Sequence, residues 1–300
     1  MLHRFAAPLG PELIDAVESE LSRGFALAVS GFGARGLGGF GTLGVDGFDV
    51  IDRVSTRGVA CVGSTVVRAI EDQSKTSLSD SVATDVLAFN DGRREQIELS
   101  APAGEEVLDV VAKEAEIWVA TRASNSVLRI CTNASATAFT MEPLASCDDP
   151  DRLVSALAVV DGYVLAALPM TKKDLREGAV PNGRIIDLET GAVLVDGFTH
   201  PSSIARWRDG WVISEQNSNS LVVVERGGAR FSIRLDGIPR GIVVVDDVAL
   251  IATGRPHRLL SAADRVKYRV VAVSLTSAAI LGEVVLPIQR LHALCRLPLQ

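Results

Sequence analysis

Residues 200–219 contain side chains that could perform acid–base chemistry. His200 can exchange a proton near neutral pH, Ser203 carries a hydroxyl that could act as a nucleophile, and Glu215 and Asn217 can hold polar groups. These side chains surround two short apolar runs that are typical of β-strands. The stretch is therefore either one arm of a catalytic site or one unit of a repeated sheet whose polar residues cap its strands.

The strand pattern around this stretch recurs along the chain. One copy has an apolar run at 153–160, the turn Asp161–Gly162 and a second apolar run at 163–168. Apolar runs joined by Asp-Gly predict a β-hairpin. Each copy adds a third and usually a fourth strand, and four strands at a spacing of roughly 40–45 residues are typical of a β-propeller blade. A β-sandwich would not repeat the same ordered quartet.

Some predicted strands lie near the two ends of the chain and belong to none of the full copies. Full copies begin near residues 57, 106, 152, 200 and 238. Three further strands are expected within 25–51, and residues 291–297 are expected to be the innermost strand of the same blade. Pairing both ends in one blade removes an exposed sheet edge. The sequence thus predicts an all-β fold, a six-bladed β-propeller with a Velcro closure in which the N-terminal strands and the C-terminal strand share a blade.

Residues 11–21 are the one segment with clear helical periodicity. The apolar residues of this segment fall on one face, with Pro11 at its start and Gly24 just after its end. We expect residues 1–24 to carry one short helix that packs on the propeller. Residues 25–300 are then expected to form a single propeller domain.

The bulk composition limits the classes of partner. The chain is 47% hydrophobic and 5% aromatic, and its net charge of −7 argues against a nucleic-acid or anionic-membrane surface. The N-terminus lacks the apolar core of a signal peptide, and no stretch reaches the ~18 apolar residues that a membrane span needs. The 4 cysteines have neither a disulfide-framework nor a zinc spacing. We expect a cytoplasmic protein whose partner is a small molecule, and the sequence leaves its oligomeric state open.

The predicted propeller brings polar residues from different blades to one rim, because the start of each first strand and the loop after each second strand lie on the same face. The residues on this rim that could act as acid, base or nucleophile are His200, Ser203, Arg240, His257 and His292. Those that could bind the substrate are Arg57, Asp109, Asn125, Glu215, Asn217 and Arg255. Loops at 71–85, 169–183 and 253–267 are candidates for a cover over the channel mouth.

Several short segments of the chain carry a resemblance to a known family. They are Asp161–Gly162 through Asp196–Gly197, Arg206–Gly210, Pro239–Gly241 and Leu297–Pro298. These segments resemble an uncharacterised group of bacterial six-bladed propeller proteins, and the chain is more distantly similar to gluconolactonase, lactonase and strictosidine-synthase-like propellers. Where the group has Pro-His-Ser-Pro before Arg-Trp, this chain has Ser-Ser-Ile-Ala, so that the histidine position of the group falls on Ser203. The resemblance implies the propeller fold and leaves the reaction open.

An enzyme acting on a small polar or anionic metabolite is the first functional hypothesis. His200, His257 or His292 would be the general acid or base. Arg57 and Arg240 would hold a carboxylate or stabilise developing negative charge. The reaction would be of the hydrolase or lactonase type, or of the lyase or cyclase type, and would need no cofactor.

Two alternatives remain. A divalent ion such as calcium or magnesium could assist hydrolysis, with oxygen ligands from Asp109, Asn125, Glu215 and Asn217. The other alternative is a non-catalytic propeller that binds a small ligand or a partner protein, since a propeller fold does not fix function.

Overall fold

Two compact units make up the chain. The computed structural model describes residues 3–5, 9–32, 39–63, 65–71, 85–90, 94–98, 106–122, 125–132, 139–144, 152–254 and 268–298. The central unit is Arg57–Pro201, and the terminal unit combines Met1–Thr56 with Ser202–Gln300. Antiparallel sheets dominate both units, and the chain adopts an all-β propeller fold with few helices.

The described elements follow the chain in groups that belong to one sheet each. The N-terminal group is β1 (His3–Phe5), α1 (Pro11–Ser22), β2 (Phe25–Phe32), β3 (Phe40–Gly44) and β4 (Gly47–Asp52). The central unit follows with β5 (Thr56–Val62), β6 (Thr65–Glu71), β7 (Asp85–Asn90), β8 (Arg94–Glu98), β9 (Val107–Lys113), β10 (Glu116–Thr121), β11 (Val127–Thr132), β12 (Phe139–Leu144), β13 (Ala156–Val160), β14 (Tyr163–Leu168), α2 (Lys172–Glu177), β15 (Gly183–Asp187) and β16 (Val193–Phe198). The remaining elements are β17 (Pro201–Trp207), β18 (Gly210–Glu215), β19 (Ser220–Val224), β20 (Arg230–Arg234), β21 (Ile238–Val245), β22 (Val248–Gly254), β23 (Tyr268–Ser274), β24 (Ala279–Leu286) and β25 (Gln289–Pro298).

Five sheets have the four antiparallel strands of a complete blade. These are β5–β8, β9–β12 and β13–β16 in the central unit, and β17–β20 and β21–β24 in the terminal unit. A five-stranded sheet of the terminal unit has the order β1-β4-β3-β2-β25. We call β5, β9, β13, β17, β21 and β25 the first strands, because each lies at one edge of its sheet.

Strand β25 completes the sheet of the N-terminal strands. It pairs antiparallel with β2, with Ala28 opposite Cys295. The predicted pairing of the strand at 291–297 with the N-terminal strands is therefore confirmed. Strand β1, which pairs with β4 at the other edge of this sheet, was not predicted from the sequence.

The hairpin turns follow the sequence signals with one shift. Asp161 and Gly162 both have positive φ, 51° and 80°, which is the backbone of a type I′ turn. In the next hairpin the positive φ lies at Arg208, and Gly210 is already the first residue of β18. A Cβ at Gly210 would lie 3.1 Å from the Cα of Glu225, so glycine is needed here for close packing of the backbone and not for the turn.

Helix α1 packs on the terminal unit, as the sequence predicts. Leu13, Ala16 and Val17 are buried in a core that also contains residues of β2, β22 and β25. Glu20 is fully buried on the same helix, where Arg296 of β25 donates hydrogen bonds to both of its carboxylate oxygens. This ion pair fixes the helix to the strand that completes the sheet.

The Arg-Trp-Arg segment of the resemblance has a structural role in the terminal unit. The indole Nε1 of Trp207 donates to Asp247 at 2.9 Å, and Arg208 donates to the other oxygen of Asp247 at 3.0 Å. These hydrogen bonds, Trp207 first, hold the pKa of the Asp247 carboxyl below its usual value. The segment thus joins the β17–β18 turn to the β21–β22 turn.

The predicted loop at 169–183 contains a short helix, α2. Its N-terminus is capped by Thr171, whose hydroxyl accepts a hydrogen bond from the backbone N–H of Asp174 at 3.0 Å. Gly178 ends the helix in the left-handed conformation, with a φ of 66°. No α2 residue is buried, so the caps and not a core contact account for this helix.

Candidate functional site

In the terminal unit, Arg240 and His292 lie at matching positions of neighbouring first strands. Gly241 follows Arg240 on β21, and a Cβ at Gly241 would overlap the backbone nitrogen of Leu294 and lie 2.9 Å from the carbonyl carbon of Ala293. The backbones of β21 and β25 therefore touch one residue beyond Arg240 and His292. Both side chains are partly buried at the start of their strands.

Serine hydroxyls connect the neighbouring sheet to the start of β21. Ser202 donates a hydrogen bond to the carbonyl oxygen of Pro239 at 3.2 Å, and Ser214 donates to the carbonyl oxygen of Arg240 at 3.1 Å. Ser214 is fully buried at the end of β18. The backbone of Arg240 is thus fixed from β18 by a hydroxyl and from β25 by close packing.

The other predicted site residues of the terminal unit have different surroundings. Ser203 is partly buried on β17, next to Ser202. Glu215 is buried and accepts a hydrogen bond from the backbone N–H of Asn217 at 3.2 Å, whereas Asn217 itself is exposed in the following turn. Because successive strand residues point to opposite faces, Glu215 lies on the opposite face of β18 from Ser214.

In the central unit, Arg57 forms an ion pair with a glutamate that the sequence analysis did not select. Its guanidinium donates to Oε1 of Glu106, and Arg122 binds the other oxygen of Glu106 at 2.8 Å. The backbone N–H of Arg122 also donates to the carbonyl oxygen of Glu106 at 2.9 Å. Glu106 is therefore held between two arginines at the start of β9, and Arg57 is one of them.

Asp109 connects two first strands of the central unit. Its Oδ1 accepts from the backbone N–H of Val110 at 2.9 Å, and its Oδ2 accepts from the N–H of Leu157 on β13 at 2.8 Å. Burial raises the pKa of the Asp109 carboxyl to about 6, although the hydrogen bonds from Leu157 and Val110 act in the opposite direction. A carboxyl with this pKa can exchange a proton near neutral pH.

Asn125 and His200 lie at the ends of other elements of the central unit. Asn125 has a left-handed backbone with a φ of 48°, and its N–H donates to the carbonyl oxygen of Arg122 at 3.3 Å. His200 is partly buried between β16 and β17. Its neighbours in sequence are fixed, because Thr199 accepts from the N–H of Met170 at 3.0 Å and Pro201 accepts from the hydroxyl of Ser155.

The structure thus brings together part of the predicted set within each unit. The backbones of β21 and β25 touch next to Arg240 and His292, and Asn125 is connected to Arg57 through Arg122 and Glu106. His257 and Arg255 lie outside the described residues, as do most of the loops at 71–85 and 253–267. Glu106, Arg122 and Ser214 were missed, although the first two satisfy the rule that starts of first strands and ends of second strands share a rim.

Metal binding and membrane crossing were also considered. No group of three His, Cys, Asp or Glu side chains in the described ranges is arranged to hold a metal ion. Neither helix among those residues is long and apolar enough to cross a membrane.

Comparisons with known proteins identify the fold class. No protein-family model matches the chain, and no curated protein matches it in sequence. A chain of the nidogen/laminin complex is similar with a TM-score of 0.61 and 11% identity, covering 92% of this chain and 100% of that one. A protein of unknown function from Bacteroides caccae has a TM-score of 0.59 and 11% identity, covering 91% and 99% of the two chains.

A relative in fold with an enzymatic name was also found. A 6-phosphogluconolactonase-like protein from Bacteroides fragilis has a TM-score of 0.51 and 8% identity, and the match covers 92% of this chain and 98% of that one. The chain is therefore similar in fold to this lactonase-like protein. At these identities the comparisons show the fold alone.

Proposed function

We propose that the protein is an enzyme that acts on a small anionic metabolite at the start of β21 and β25. The observation that carries this proposal is the close backbone contact at Gly241, which follows Arg240 on β21 and packs against Ala293, the residue after His292 on β25. A guanidinium can hold a carboxylate or phosphate through paired hydrogen bonds. An imidazole beside it can donate or accept a proton near neutral pH. Ser203, at the start of β17 in the same unit, is a candidate for a nucleophilic role, and the acid–base roles of His200 and His257 stay predictions from the sequence.

Hydrolysis of a sugar lactone is the first reaction to assay, and a lyase or cyclase reaction is the second. The 6-phosphogluconolactonase-like relative in fold supports this order. A lactone carries a carbonyl at which negative charge develops during hydrolysis, and a guanidinium stabilises such charge. His292 would then transfer the proton, with no metal or cofactor required by these residues.

Substitutions of the two side chains test the proposal. With 6-phosphogluconolactone as substrate and a pH indicator as readout, we expect Arg240→Ala and His292→Ala each to lower kcat/KM by about 100-fold or more. Arg240→Lys keeps the charge but loses the guanidinium fork, so its kcat/KM should lie between those of the wild type and Arg240→Ala. Arg226→Ala is the matched control, because Arg226 is 82% exposed at another turn.

The same variants separate a catalytic from a structural role. Melting temperatures of Arg240→Ala and His292→Ala within about 1 °C of the wild type would support the proposal, since a shift of that size corresponds to less than roughly 1 kcal/mol for a chain of this length. Activity that survives both substitutions, or that falls only in proportion to lost stability, would reject it.

A second candidate is a propeller that binds a partner protein without catalysis. The side chain of Val180 is 83% exposed and that of Leu175 is 43% exposed, both in the segment formed by α2 and the residues that follow it. The fold match to a chain of the nidogen/laminin complex also supports this candidate. Under it, Val180→Asp would abolish binding of the partner, and Arg240→Ala would have no effect.

Three further features complete the proposal. The five-stranded sheet would be the sixth blade, with β25 as its innermost strand. Membership of the uncharacterised bacterial group is supported by the short segments named above. A cytoplasmic location is supported by Cys61 and Cys131, which form no disulfide among the described residues.

A further inference from the structure

The cluster of Arg57, Glu106 and Arg122 in the central unit has more positive than negative charge. Two guanidiniums share one carboxylate, with Arg57 on Oε1 and Arg122 on Oε2 of Glu106. At neutral pH the two arginines and the one glutamate together carry a formal charge of about +1. This excess stands out in a chain whose net charge is −7.

The three side chains differ in their exposure to solvent. The exposed fractions of the side chains are 16% for Arg57, 23% for Glu106 and 56% for Arg122. A solute can therefore reach Arg122 and the carboxylate, while Arg57 is anchored behind them. Arg122 is also held through its backbone, because its N–H donates to Glu106 and its carbonyl accepts from Asn125.

We propose that this cluster is a binding site for a phosphate group, in which Glu106 occupies the place of the ligand when none is bound. A carboxylate offers one oxygen to each guanidinium, as Glu106 does here. A phosphate offers three oxygens and a charge of about −1.5 to −2, which balances two arginines more closely than one carboxylate can. Displacement of Glu106 by phosphate moves into water a carboxylate whose side chain is already 23% exposed.

All residues of the proposed site belong to the central unit, whereas Arg240 and His292 belong to the terminal unit. A purely structural role is the competing explanation, since Glu106 also connects the start of β5 to the start of β9. The two explanations differ in one respect. If the cluster is only structural, neutralising Glu106 lowers the stability of the protein and does not increase its affinity for phosphate. If the cluster binds phosphate, neutralising Glu106 increases the affinity for phosphate, because the carboxylate no longer competes for the two arginines.

Calorimetric titration with inorganic phosphate at low ionic strength tests the proposal. We expect Glu106→Gln to bind phosphate at least about 5-fold more tightly than the wild type, and Arg122→Ala to bind it at least about 10-fold more weakly. Arg226→Ala should bind as the wild type does, because its exposed guanidinium lies in another turn. Repeating the series in the Arg240→Ala background removes any phosphate bound at the other site.

The outcomes separate the alternatives. Unchanged phosphate affinity in folded Glu106→Gln, or equal losses in Arg122→Ala and Arg226→Ala, would overturn the proposal. If Glu106→Gln does not fold, Arg122→Ala alone decides, since Arg122 is the most exposed member and its removal is tolerated best. Glycerol 3-phosphate in place of inorganic phosphate distinguishes a phosphomonoester ligand from the free ion.

Discussion

The central and terminal units use different groups to hold their first strands together. In the central unit, the carboxylate of Asp109 connects β9 to β13, and Arg57 is paired with Glu106. In the terminal unit, the described contacts around Arg240 are a serine hydroxyl and the close packing of Gly241 against β25. The described contacts at the strand starts thus include carboxylates in the central unit, whereas those at Arg240 in the terminal unit include a hydroxyl and a close backbone contact.

The difference bears on function because Arg57 and Arg240 occupy equivalent positions, each one residue before a glycine that packs on the next first strand. A Cβ at Gly58 would lie 2.8 Å from the backbone nitrogen of Val110, just as one at Gly241 would meet Leu294. Position alone therefore does not decide what an arginine at a strand start does. The surroundings differ, because Glu106 pairs with the side chain of Arg57, whereas the hydroxyl of Ser214 bonds to the backbone of Arg240.

Substitution of the two glycines tests whether the strands pack equally closely in both units. We expect Gly241→Ala to lower the free energy of unfolding by about 3 kcal/mol, because the new Cβ meets backbone atoms that cannot move separately. Gly58→Ala should cost less, about 2 kcal/mol, since part of its clash is with the side chain of Val110. Urea denaturation provides the measurement.

A matched control is available for these glycines. Gly227 has open space around its Cβ position, so Gly227→Ala should change the free energy of unfolding by less than about 0.5 kcal/mol. If Gly241→Ala were as stable as Gly227→Ala, β21 and β25 would not touch at Arg240, and the proposed catalytic pair would lose its basis.

Asp109 should make stability depend on pH through the central unit. Its pKa is raised from 3.8 to about 6, so the folded protein holds this proton more tightly than the unfolded chain does. The stabilisation is fully present below about pH 4 and is lost as the pH rises through about 6. We expect the stability of the wild type relative to Asp109→Asn to fall by on the order of 2 kcal/mol between pH 4 and pH 8.

Urea denaturation of both proteins across this pH range measures the effect. Asparagine has nearly the shape of the protonated carboxyl but does not titrate. Its amide nitrogen cannot accept one of the two backbone hydrogen bonds, and that loss lowers stability by an amount that does not depend on pH. Parallel stability curves for the two proteins would show that Asp109 does not titrate differently in the folded state, and the contrast between the units would then rest on Glu106 alone.

The serine hydroxyls should give the smallest effects. Ser214→Ala and Ser155→Ala each remove hydrogen bonds to backbone carbonyls and should lower the free energy of unfolding by about 1 kcal/mol. Only Ser214→Ala should also alter KM for the lactone, because Ser214 bonds to Arg240. Ser277→Ala, at an exposed turn, is the control. Equal KM values for all three variants would argue against a role of Ser214 in positioning Arg240.

The sheets could be predicted from the sequence because their signals are local. Asp161–Gly162 between apolar runs specifies a hairpin without reference to the rest of the chain, and the periodicity of residues 11–21 does the same for α1. The pairing of β25 with β2 could also be predicted, because the strands left over at the two ends of the chain complete one sheet. Helix α2 was missed because most of its residues are charged, and only the caps at Thr171 and Gly178 mark it.

The side-chain partners could not be predicted because they depend on how neighbouring first strands are aligned. A shift of one residue between β5 and β9 would change the partner that faces Arg57, and the sequence signals do not determine this alignment to one residue. Asp109 was selected as a polar residue, but its role follows from the N–H of Leu157, which lies on another sheet. The sequence therefore predicts which residues lie at the starts of the first strands, but it does not predict which groups they bind.

The pairing of β2 with β25 has a consequence for how the protein reaches its folded state. These strands are separated by most of the chain, so their sheet forms only after a very large loop has closed. Until then β2 presents an unpaired apolar edge that a strand of another molecule can occupy. Concentrated refolding should thus favour exchange of β25 between two copies, and dilution should favour the monomer.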